Sequence, residues 1–489
     1  MTGFRHRGVS TSAAARARTR PVLAAVGIAG ALLACSGEAR DLPAIEASGR
    51  LVALLPYNST TYFLYRGEPM GYEYELLRHF AGDRELVLDV VPVEEPAQLL
   101  DRLRRGEADV AGGRLLPELQ KARGVAWSEG LYGTRLAVVQ RAVARDEADE
   151  VLSARRVESP QDLAGRTVHA PSGSAAVERL LEIADEISGD VEIVEVAPDV
   201  SAETLIRRVS RGEVELTATQ RNLARLKKSY FRNILVRPAL GPEREVAWAV
   251  PAGATALRSA LDAWIADPEN EALREDLYYK YFVDRRGYRE RVESSYLTST
   301  TGRLSRFDEL IRQEAERLGW DWRLLASMVF QESRFDPDAR SWAGAKGLLQ
   351  LMPATARAYD VEDPTDPAQS LRGGVSLLAW LDGYWADEIA DPDERLLFVL
   401  ASFNVGQGHV ADARRLAEAE GDDPDRWEDV AGWLIQKSRR KVYARPEVHH
   451  GFCRGIEPVT YVARVLERYA HYRHFVSDRP EPAPAAEAG

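Results

Sequence analysis

Glu332 is the residue in this sequence whose type and position best suit acid–base chemistry. It lies at the end of an apolar helical segment that begins near Trp322. Burial there disfavours the charged carboxylate, and the negative end of the helix dipole disfavours it further, so both effects raise the pKa. A carboxyl group with a pKa near neutrality suits general acid catalysis. Taken alone, however, Glu332 is explained more simply as an exposed glutamate at a frayed helix end.

Three motifs further along the chain change this interpretation. They are Gly-Leu-Leu-Gln at 347–350, Ala-Ser-Phe-Asn-Val-Gly at 401–406, and Tyr461-Val462 preceded by Glu457. Together with Glu332-Ser333 they resemble, in the same order, the four motifs of the soluble lytic transglycosylase family, whose fold is lysozyme-like. Phe403 stands where that family more often has Tyr. The resemblance covers residues 305–473 and implies an enzyme that cleaves the glycan strands of peptidoglycan.

The resemblance also implies a mechanism that uses a single carboxyl group. Glu332 is expected to protonate the glycosidic oxygen between MurNAc and GlcNAc, and then to remove the proton of the C6 hydroxyl, which closes a 1,6-anhydro ring. Ser333 and Gln350 are expected to orient Glu332 and the N-acetyl group, Asn404 to bind the sugar, and Tyr461 to hold the carboxyl group. No metal and no cofactor are implied. Capping or turn formation is the alternative role for Asn404 and Gln350, and core packing is the alternative for Tyr461.

Two nearby aspartates keep other mechanisms open. A hydrolysing glycosidase usually has two carboxylates about 5–10 Å apart, and Asp336 or Asp338 could supply the second one. Both flank Pro337, where Asp is common for backbone reasons, so we expect them to form a turn. A lysozyme-type hydrolase, and a receptor that holds peptidoglycan without cleaving it, remain alternatives. The sequence does not decide between cleavage within strands and cleavage from their ends.

The elements that must position the candidate catalytic residues are helical. From about Ser305 onward, apolar residues recur at helical spacing, and no strand-like alternation of any length is present. Before that point, short apolar runs alternate with amphipathic helices, which indicates α/β units with a largely parallel sheet. We therefore predict a multidomain chain, with a two-lobed α/β domain at residues 49–284 and a mainly α, lysozyme-like domain at residues 305–475.

Segments of the α/β region resemble the amino-acid type of periplasmic solute-binding protein. These segments are Gly49–Val52, Gly71–Leu76, Arg105–Val110, Trp127–Tyr132 and Ser159–Val168. The resemblance implies two periplasmic-binding-protein-like lobes with a ligand cleft between them. We expect the lobes to close around a small ligand and thereby to change the activity of the helical domain, a simple tether being the alternative.

The ligand residues of that family are matched less well. Lys121 stands where the family usually has an arginine that grips an α-carboxylate, and Gln220 stands where it often has an aspartate for the amino group. Because lysine cannot form the bidentate fork of arginine, a free amino acid is not the expected ligand. Lys121 and the amides near Ser172 and Ser174, at a helix start, are expected to bind an anionic group such as a cell-wall peptide carboxylate. A simple N-cap explains the two serines equally well.

The N-terminal segment resembles the signal of a bacterial lipoprotein. Residues 1–34 carry five arginines and no acid, and their apolar run of 13 residues, Pro21–Leu33, is too short to span a bilayer core of about 30 Å. The run leads into Leu-Leu-Ala-Cys, which resembles a lipobox, so we expect acylation of Cys35 and a lipid anchor in the membrane. Ser36 favours the periplasmic face of the outer membrane. A secretory signal with a chance cysteine is the alternative.

The remaining segments connect or end these units. Residues 35–48 are expected to link the anchor to the first domain, residues 285–304 to link the two domains, and residues 476–489 to be disordered. The net charge of −12 argues against nucleic acid as a partner. Two cysteines exclude a disulfide scaffold, and the eight histidines form no cluster typical of a metal site. The order of anchor, solute-binding domain and catalytic domain is similar to that of membrane-bound lytic transglycosylases.

Overall fold

The structure is a computed structural model that describes residues 40–120, 122–142, 156–187, 190–197 and 200–478. Two predicted site residues, Cys35 and Lys121, lie outside the described residues, as does the predicted signal segment 1–34. The described chain forms an α/β domain of two lobes followed by a helical domain, which confirms the predicted fold class.

The first lobe is built on a mixed sheet with a parallel centre. Its strands are β1 (Arg50–Pro56), β4 (Val87–Val93), β5 (Val110–Leu115), β6 (Val125–Trp127), β7 (Tyr132–Thr134) and β13 (Arg244–Pro251). Their order is β4-β1-β5-β13-β6, and β7 also pairs with β13. Strand β1 runs parallel to β4 and β5, whereas β13 runs antiparallel to β5. The helices of this lobe are α1 (Leu42–Ser48), α2 (Tyr72–Asp83), α3 (Leu99–Arg104), α7 (Thr255–Ala266) and α8 (Pro268–Tyr278).

The second lobe is a smaller α/β unit inserted between β7 and β13. Its strands are β8 (Leu136–Arg141), β9 (Thr167–Pro171), β10 (Glu192–Val196), β11 (Leu216–Gln220) and β12 (Ile234–Ala239), in the order β10-β9-β11-β8-β12. Its helices are α4 (Ala175–Ile187), α5 (Ala202–Arg211) and α6 (Arg221–Lys228), and a 3-10 turn lies at Pro160–Leu163. The chain therefore crosses between the lobes at residues 134–136 and again at residues 239–244.

The segment predicted to be a linker between the domains is folded. A π-helical turn (Tyr279–Val283) precedes α9 (Arg285–Val292) and α10 (Thr298–Thr301). Tyr288 is buried, with the Lys227 Nζ atom 5.1 Å from its ring centre. The Arg66 N–H donates to the Tyr296 carbonyl at 2.9 Å. Polar composition predicted an interdomain linker at 285–304, and the structure shows that Tyr288 and Tyr296 within this segment contact the first domain.

The described parts of two other predicted connecting segments, residues 40–48 and 476–478, also pack on the folded domains. Within the predicted anchor linker 35–48, α1 packs on the first lobe, and the Asp41 carboxylate accepts the N–H groups of Ala256 and Leu257 at 3.1 and 2.8 Å. Within the predicted disordered tail, Val476 is buried, and its carbonyl accepts the Arg323 Nη1 at 2.9 Å. Residues 479–489 lie outside the described residues.

The helical domain forms a second core. Its helices are α11 (Asp308–Leu318), α12 (Trp322–Ser333), α13 (Pro353–Ala358), α14 (Pro367–Ala386), α15 (Pro392–Val405), α16 (Gln407–Glu420), α17 (Trp427–Gln436), α18 (Arg440–Tyr443) and α19 (Ile456–Phe475). The starts of α12, α14 and α15 are capped by the side chains of Asp321, Asp366 and Asp391, which accept free N–H groups of the first turn. Helix α12 packs along α19, and α15 packs against α14, α16 and α19.

A hairpin of the first domain, β2 (Phe63–Tyr65) and β3 (Glu68–Met70), rests on the helical domain. Its Leu64 belongs to the core of that domain. The Tyr472 hydroxyl donates to the Gly67 carbonyl at 2.6 Å, and a Cβ at Gly67 would lie 2.7 Å from the Phe335 ring. Only glycine therefore permits this approach of the hairpin to the segment that follows α12.

Helix α19 makes a second contact between the domains. The ring of Phe475, its last residue, stacks on the Tyr57 ring with centres 3.8 Å apart and planes at 15°. The Tyr62 hydroxyl and the His471 Nδ1 atom form a buried hydrogen bond. In the described ranges, each helix is too short or too polar to cross a bilayer.

Candidate active site

Helix α12 places Glu332 at its C-terminal end and then stops abruptly. Arg334 and Phe335, the next residues after the helix, adopt left-handed conformations with φ of 53° and 62°. Non-glycine residues in this region store strain of about 1–3 kcal/mol each, and such residues are concentrated at functional sites. The turn after Glu332 is therefore held by its surroundings rather than by its own preference.

Burial raises the pKa of Glu332 from its ordinary value of 4.5 to about 7. Its place in the last turn of α12 acts in the same direction, because the helix dipole is negative there. The Tyr461 hydroxyl acts in the opposite direction, since its hydrogen bond lowers the pKa of the carboxyl group. Near pH 7 a large fraction of Glu332 is thus protonated, as a general acid requires.

Tyr461 reaches Glu332 from α19. Its side chain is buried, and its hydroxyl has no hydrogen-bond partner of normal geometry within the described chain. The Glu332 carboxyl group is the neighbouring acceptor, since the two groups shift each other's pKa. Burial, followed by the nearby Glu332 charge, raises the pKa of Tyr461 well above its usual value. The two helices are fixed together by the Ser327 hydroxyl of α12, which donates to the Val465 carbonyl of α19 at 2.7 Å. The structure therefore brings together the first and the last of the four sequence motifs.

Ser333 joins α12 to the Gly-Leu-Leu-Gln motif. Its hydroxyl donates to the carbonyls of Val329 and Leu348 at 3.0 and 2.9 Å. The sequence analysis expected Ser333 to orient Glu332 and the N-acetyl group of the sugar, and in the structure its hydroxyl is directed to backbone carbonyls. The residue thereby fixes the loop that faces the end of α12.

Gln350 is held in a strained turn of the same loop. Its φ is 46°, and its Nε2 atom donates to the carbonyls of Ala339 and Gly347 at 3.0 and 2.9 Å. Gly347 has a φ of 84°, and a Cβ there would lie 1.7 Å from the Pro364 carbonyl oxygen, so only glycine fits. The amide nitrogen of Gln350 thus helps to form the turn, which is the alternative role given in the sequence analysis. Its Oε1 atom receives no hydrogen bond within the described chain.

Asn404 lies in the last turn of α15 and is exposed. Its side chain makes no hydrogen bond to any described residue, so it does not cap the helix, which ends at Gly406 with a φ of 89°. Phe403 is partly buried and packs against the core of the helical domain. The side chain of Asn404 is therefore free to bind a ligand.

The two aspartates after Glu332 form a turn. The Asp336 N–H donates to the Ser333 carbonyl at 3.0 Å, and the Asp336 carboxylate accepts the Asp338 N–H at 3.0 Å. Both aspartates are exposed, whereas Glu332 is half-buried. Groups of His, Cys, Asp and Glu suited to a metal ion are absent from the described part of the chain.

The second predicted site, the cleft between the lobes, encloses a cavity of about 190 Å³. Ser172 and Ser174 line this cavity, and so does Gln220. Arg114, which the sequence analysis missed, lines it as well. The signal that pointed to Arg114 was a single arginine directly after the small residues Ala111–Gly113 of strand β5.

Comparisons with known proteins agree with this geometry. A family model described as "Transglycosylase SLT domain" matches residues 309–425. A curated relative from Desulfosudis oleivorans is 32% identical over 434 residues, covering 87% of this chain and 90% of the relative. One from Stutzerimonas stutzeri is 33% identical over 457 residues, covering 91% and 89%. Both are named "Membrane-bound lytic murein transglycosylase F".

Solved structures also match about half of the chain. A mutant of the arginine-binding protein from T. maritima has a TM-score of 0.42 and 17% identity, covering 49% of this chain and 98% of that one. The amino acid ABC transporter substrate-binding protein AbpA from Streptococcus pneumoniae has a TM-score of 0.42 and 18% identity, with the same coverage.

The helical fold, the Glu332 site and the matching family model define an enzyme of the lytic transglycosylase class. Its catalytic domain follows the two-lobed α/β domain. Since curated relatives above 30% identity match about nine-tenths of both chains, the chain belongs to the membrane-bound lytic murein transglycosylase F family.

Proposed function

We propose that this enzyme cleaves the MurNAc–GlcNAc β-1,4 bond of peptidoglycan with Glu332 as its single acid and base. The observation that carries the proposal is a half-buried carboxyl group whose desolvation raises its pKa to about 7, with the Tyr461 hydroxyl as the neighbouring donor. No second shielded carboxyl accompanies it in the described turn, where Asp336 and Asp338 are exposed.

The protons balance in two steps. Glu332 first donates its proton to the glycosidic oxygen, so that GlcNAc leaves with a free hydroxyl while the N-acetyl oxygen of MurNAc stabilises the cation at C1. The Glu332 carboxylate then removes the proton of the C6 hydroxyl as that oxygen bonds to C1. The product is a 1,6-anhydro ring, and Glu332 regains its proton.

The other motif residues support Glu332 in distinct ways. Tyr461 orients the carboxyl group and stabilises its ionised state after the first proton transfer. Ser333 acts through the backbone of Leu348 and is therefore a positioning residue. Gln350 offers its Oε1, and Asn404 its exposed amide, to the acetamido and hydroxyl groups of the sugar.

The product distinguishes the lytic reaction from hydrolysis. Peptidoglycan is digested with the purified enzyme, and the muropeptides are analysed by mass spectrometry. We expect MurNAc ends that are lighter by one water than the ends a lysozyme leaves. Reducing MurNAc ends as the main product would support the lysozyme-type hydrolase instead, and intact peptidoglycan would support the receptor without catalysis.

We also propose that the mature protein is anchored through acylated Cys35 to the periplasmic face of the outer membrane. The support is the Leu-Leu-Ala-Cys motif after the apolar run and the membrane-bound designation of the relatives. We expect Cys35→Ala to move the protein from the membrane fraction to the soluble fraction, with Cys453→Ala as the matched control. Retention of Cys35→Ala in salt-washed membranes would contradict the anchor.

The N-terminal domain is proposed to bind a cell-wall peptide between its lobes. The support is the lobed fold with an enclosed cavity, lined in part by Ser172 and Ser174 at the start of α4. Binding of a muropeptide mixture to the purified protein, followed by calorimetry, tests this role independently of glycan cleavage.

A further inference from the structure

The cavity between the lobes has the composition of a small-molecule site. Much of its wall is apolar and is formed by Val93, Leu99, Leu115 and Leu136, among others, while polar groups enter at few positions. Enclosed sites of this kind use a few convergent polar groups to orient a ligand. The identity of these groups therefore defines the chemistry of the ligand.

Arg114 is the only lysine or arginine among the described residues that line the cavity. Its Nε and Nη1 atoms are buried and have no hydrogen-bond acceptor in the described chain. A guanidinium group stays charged in proteins, so Arg114 cannot remove these unpaired N–H donors by losing a proton. Buried donors without acceptors are unfavourable, and a bound ligand would supply the missing acceptors.

The backbone of Arg114 is held in a strained conformation from both lobes. Its φ is 60°, in the left-handed region. The buried Glu73 carboxylate accepts the N–H groups of Gly113 and Arg114 at 2.9 and 2.7 Å. From the second lobe, the Gln220 Nε2 atom donates to the Arg114 carbonyl at 2.6 Å. Strain that is maintained by several contacts is typical of binding sites.

The nearby carboxylates leave the charge of Arg114 available. Glu203 lines the cavity but forms an ion pair with Lys227 and accepts the Ser59 hydroxyl at 2.8 Å. Glu94, the other acid in the described lining, is exposed. The two carboxylate oxygens of Glu73 accept backbone N–H groups and form no hydrogen bond with the guanidinium group. The cavity therefore favours an anionic group next to Arg114.

Two further polar atoms in the lining lack partners. They are the hydroxyl of Ser174 and the Oε1 atom of Gln220, both buried and without a hydrogen bond in the described chain. The hydroxyl can donate to an anion. The amide oxygen can accept an N–H group, but it has no charge to balance an ammonium group.

We propose that Arg114 binds the carboxylate of a small N-acylated ligand, such as the C-terminal end of a short peptide, with Ser174 and Gln220 contacting the same ligand. This inference rests on the proposed ligand-binding role of the N-terminal domain. It assigns to Arg114 the carboxylate contact that the sequence analysis gave to Lys121. A zwitterionic free amino acid fits less well, because Gln220 offers its ammonium group only a neutral oxygen.

The test is isothermal titration calorimetry on the full mature chain, residues 35–489, in detergent. The probes are N-acetyl-D-alanyl-D-alanine, its C-terminal amide, and free D-alanine. We expect the acid to bind wild-type protein at least about tenfold more tightly than the amide, as a charge-assisted bidentate contact predicts. Arg114→Gln should weaken binding of the acid by about 10- to 100-fold and remove the preference, whereas Arg114→Lys should keep part of it.

The matched control is Arg66→Gln, which removes an arginine of similar backbone conformation, φ 52°, outside the cavity lining. This variant should keep the wild-type preference for the acid. Circular dichroism verifies that each variant is folded. If Arg114→Gln does not fold, the comparison is made with Arg114→Lys instead.

Three results would overturn the inference. They are equal binding of acid and amide by wild-type protein, an unchanged preference in folded Arg114→Gln, and binding of free D-alanine as tight as that of the acylated dipeptide. If the dipeptide does not bind but a muropeptide mixture does, the Arg114 assignment is wrong and the ligand-binding role of the domain stands. If neither binds, both are wrong.

Discussion

Glu73 in the first lobe and Glu332 in the helical domain are glutamates with raised pKa values, and they differ in what surrounds their carboxyl groups. Burial raises the pKa of both. Glu73 lies in the first turn of α2, where the helix dipole favours its charge, and it accepts two backbone N–H groups. Glu332 lies in the last turn of α12, where the dipole disfavours charge, and its partner is one tyrosine hydroxyl.

The difference shows that burial by itself does not make a glutamate catalytic. The acceptors of Glu73 are occupied by the backbone of β5, so the residue fixes a turn and has no access to a ligand proton. Glu332 has few fixed partners and a pKa near neutrality, so both its proton and its lone pairs are available. Two properties therefore distinguish the structural role of Glu73 from the catalytic role proposed for Glu332. They are the number of carboxylate oxygens that already accept hydrogen bonds and the end of the helix at which the glutamate lies.

The largest effect is expected for Glu332→Gln. Glutamine keeps the shape of the side chain but cannot donate a proton and then accept one, so cleavage of peptidoglycan should fall by about 10²–10⁴-fold. The initial rate of muropeptide release measures this. Asp336→Asn is the matched control, because Asp336 is an exposed carboxylate four residues away. A wild-type rate in Glu332→Gln would show that another group is the acid.

Glu73→Gln should instead affect local stability. The amide can accept one of the two N–H groups of Gly113 and Arg114, but its own NH₂ group then opposes the other. Leaving one buried donor unpaired costs about 1–3 kcal/mol. Hydrogen–deuterium exchange at residues 110–115 should accelerate, while the cleavage rate without ligand stays near that of wild type. An unchanged exchange rate at residues 110–115 would show that Glu73 does not fix the backbone of Arg114.

The sequence points to the candidate catalytic residues more directly than to the residues of the interlobe cavity, because the two sites carry different kinds of signal. Glu332, Gln350 and Tyr461 lie in motifs with fixed local spacing, and the apolar run before Glu332 indicated its burial. Arg114 is one charged residue near the end of strand β5, and its importance depends on contacts from Glu73 and Gln220 that are distant in sequence. Such contacts exist only after the lobes have formed.

The same reasoning explains the errors at the domain boundary. Residues 285–304 are mostly polar, and polar composition predicted a linker. Tyr288 and Leu297 within it are nevertheless buried, because the first domain provides the surfaces that receive them. The composition of a segment is an average over all its residues. Burial of only two of them, Tyr288 and Leu297, is enough to hold the segment against the first domain.

A smaller effect is expected for Tyr461→Phe. Glu332 is active as an acid only while protonated, so the wild-type rate should fall as the pH rises through about 7. The Tyr461 hydroxyl lowers the pKa of Glu332, so its removal should move this falling limb upward by about one pH unit. Initial rates of cleavage across the neutral range measure the shift. A limb that moves to lower pH would contradict the assigned interaction.

The smallest effect concerns the contact that joins the two clefts. Tyr57 lines the interlobe cavity, and its ring stacks on Phe475, the last residue of the helix that carries Tyr461. If a bound ligand shifts Tyr57, the shift is transmitted to α19 through this stack, although a physical path alone does not prove coupling. Phe475→Leu keeps an apolar side chain but removes the stacked ring.

We expect a muropeptide mixture to change the cleavage rate of the wild-type protein, and Phe475→Leu to reduce that change by about two- to fivefold, which is the lower range for mutations along such a path. Tyr384→Leu is the matched control, since Tyr384 is a half-exposed aromatic residue of α14 with no contact to the first domain. The rates are compared with and without the mixture for all three proteins. An equal change in cleavage rate in wild type and Phe475→Leu would exclude the Tyr57–Phe475 stack as the coupling element. If the mixture does not change the rate of wild type, the interface is only a tether between two independent sites.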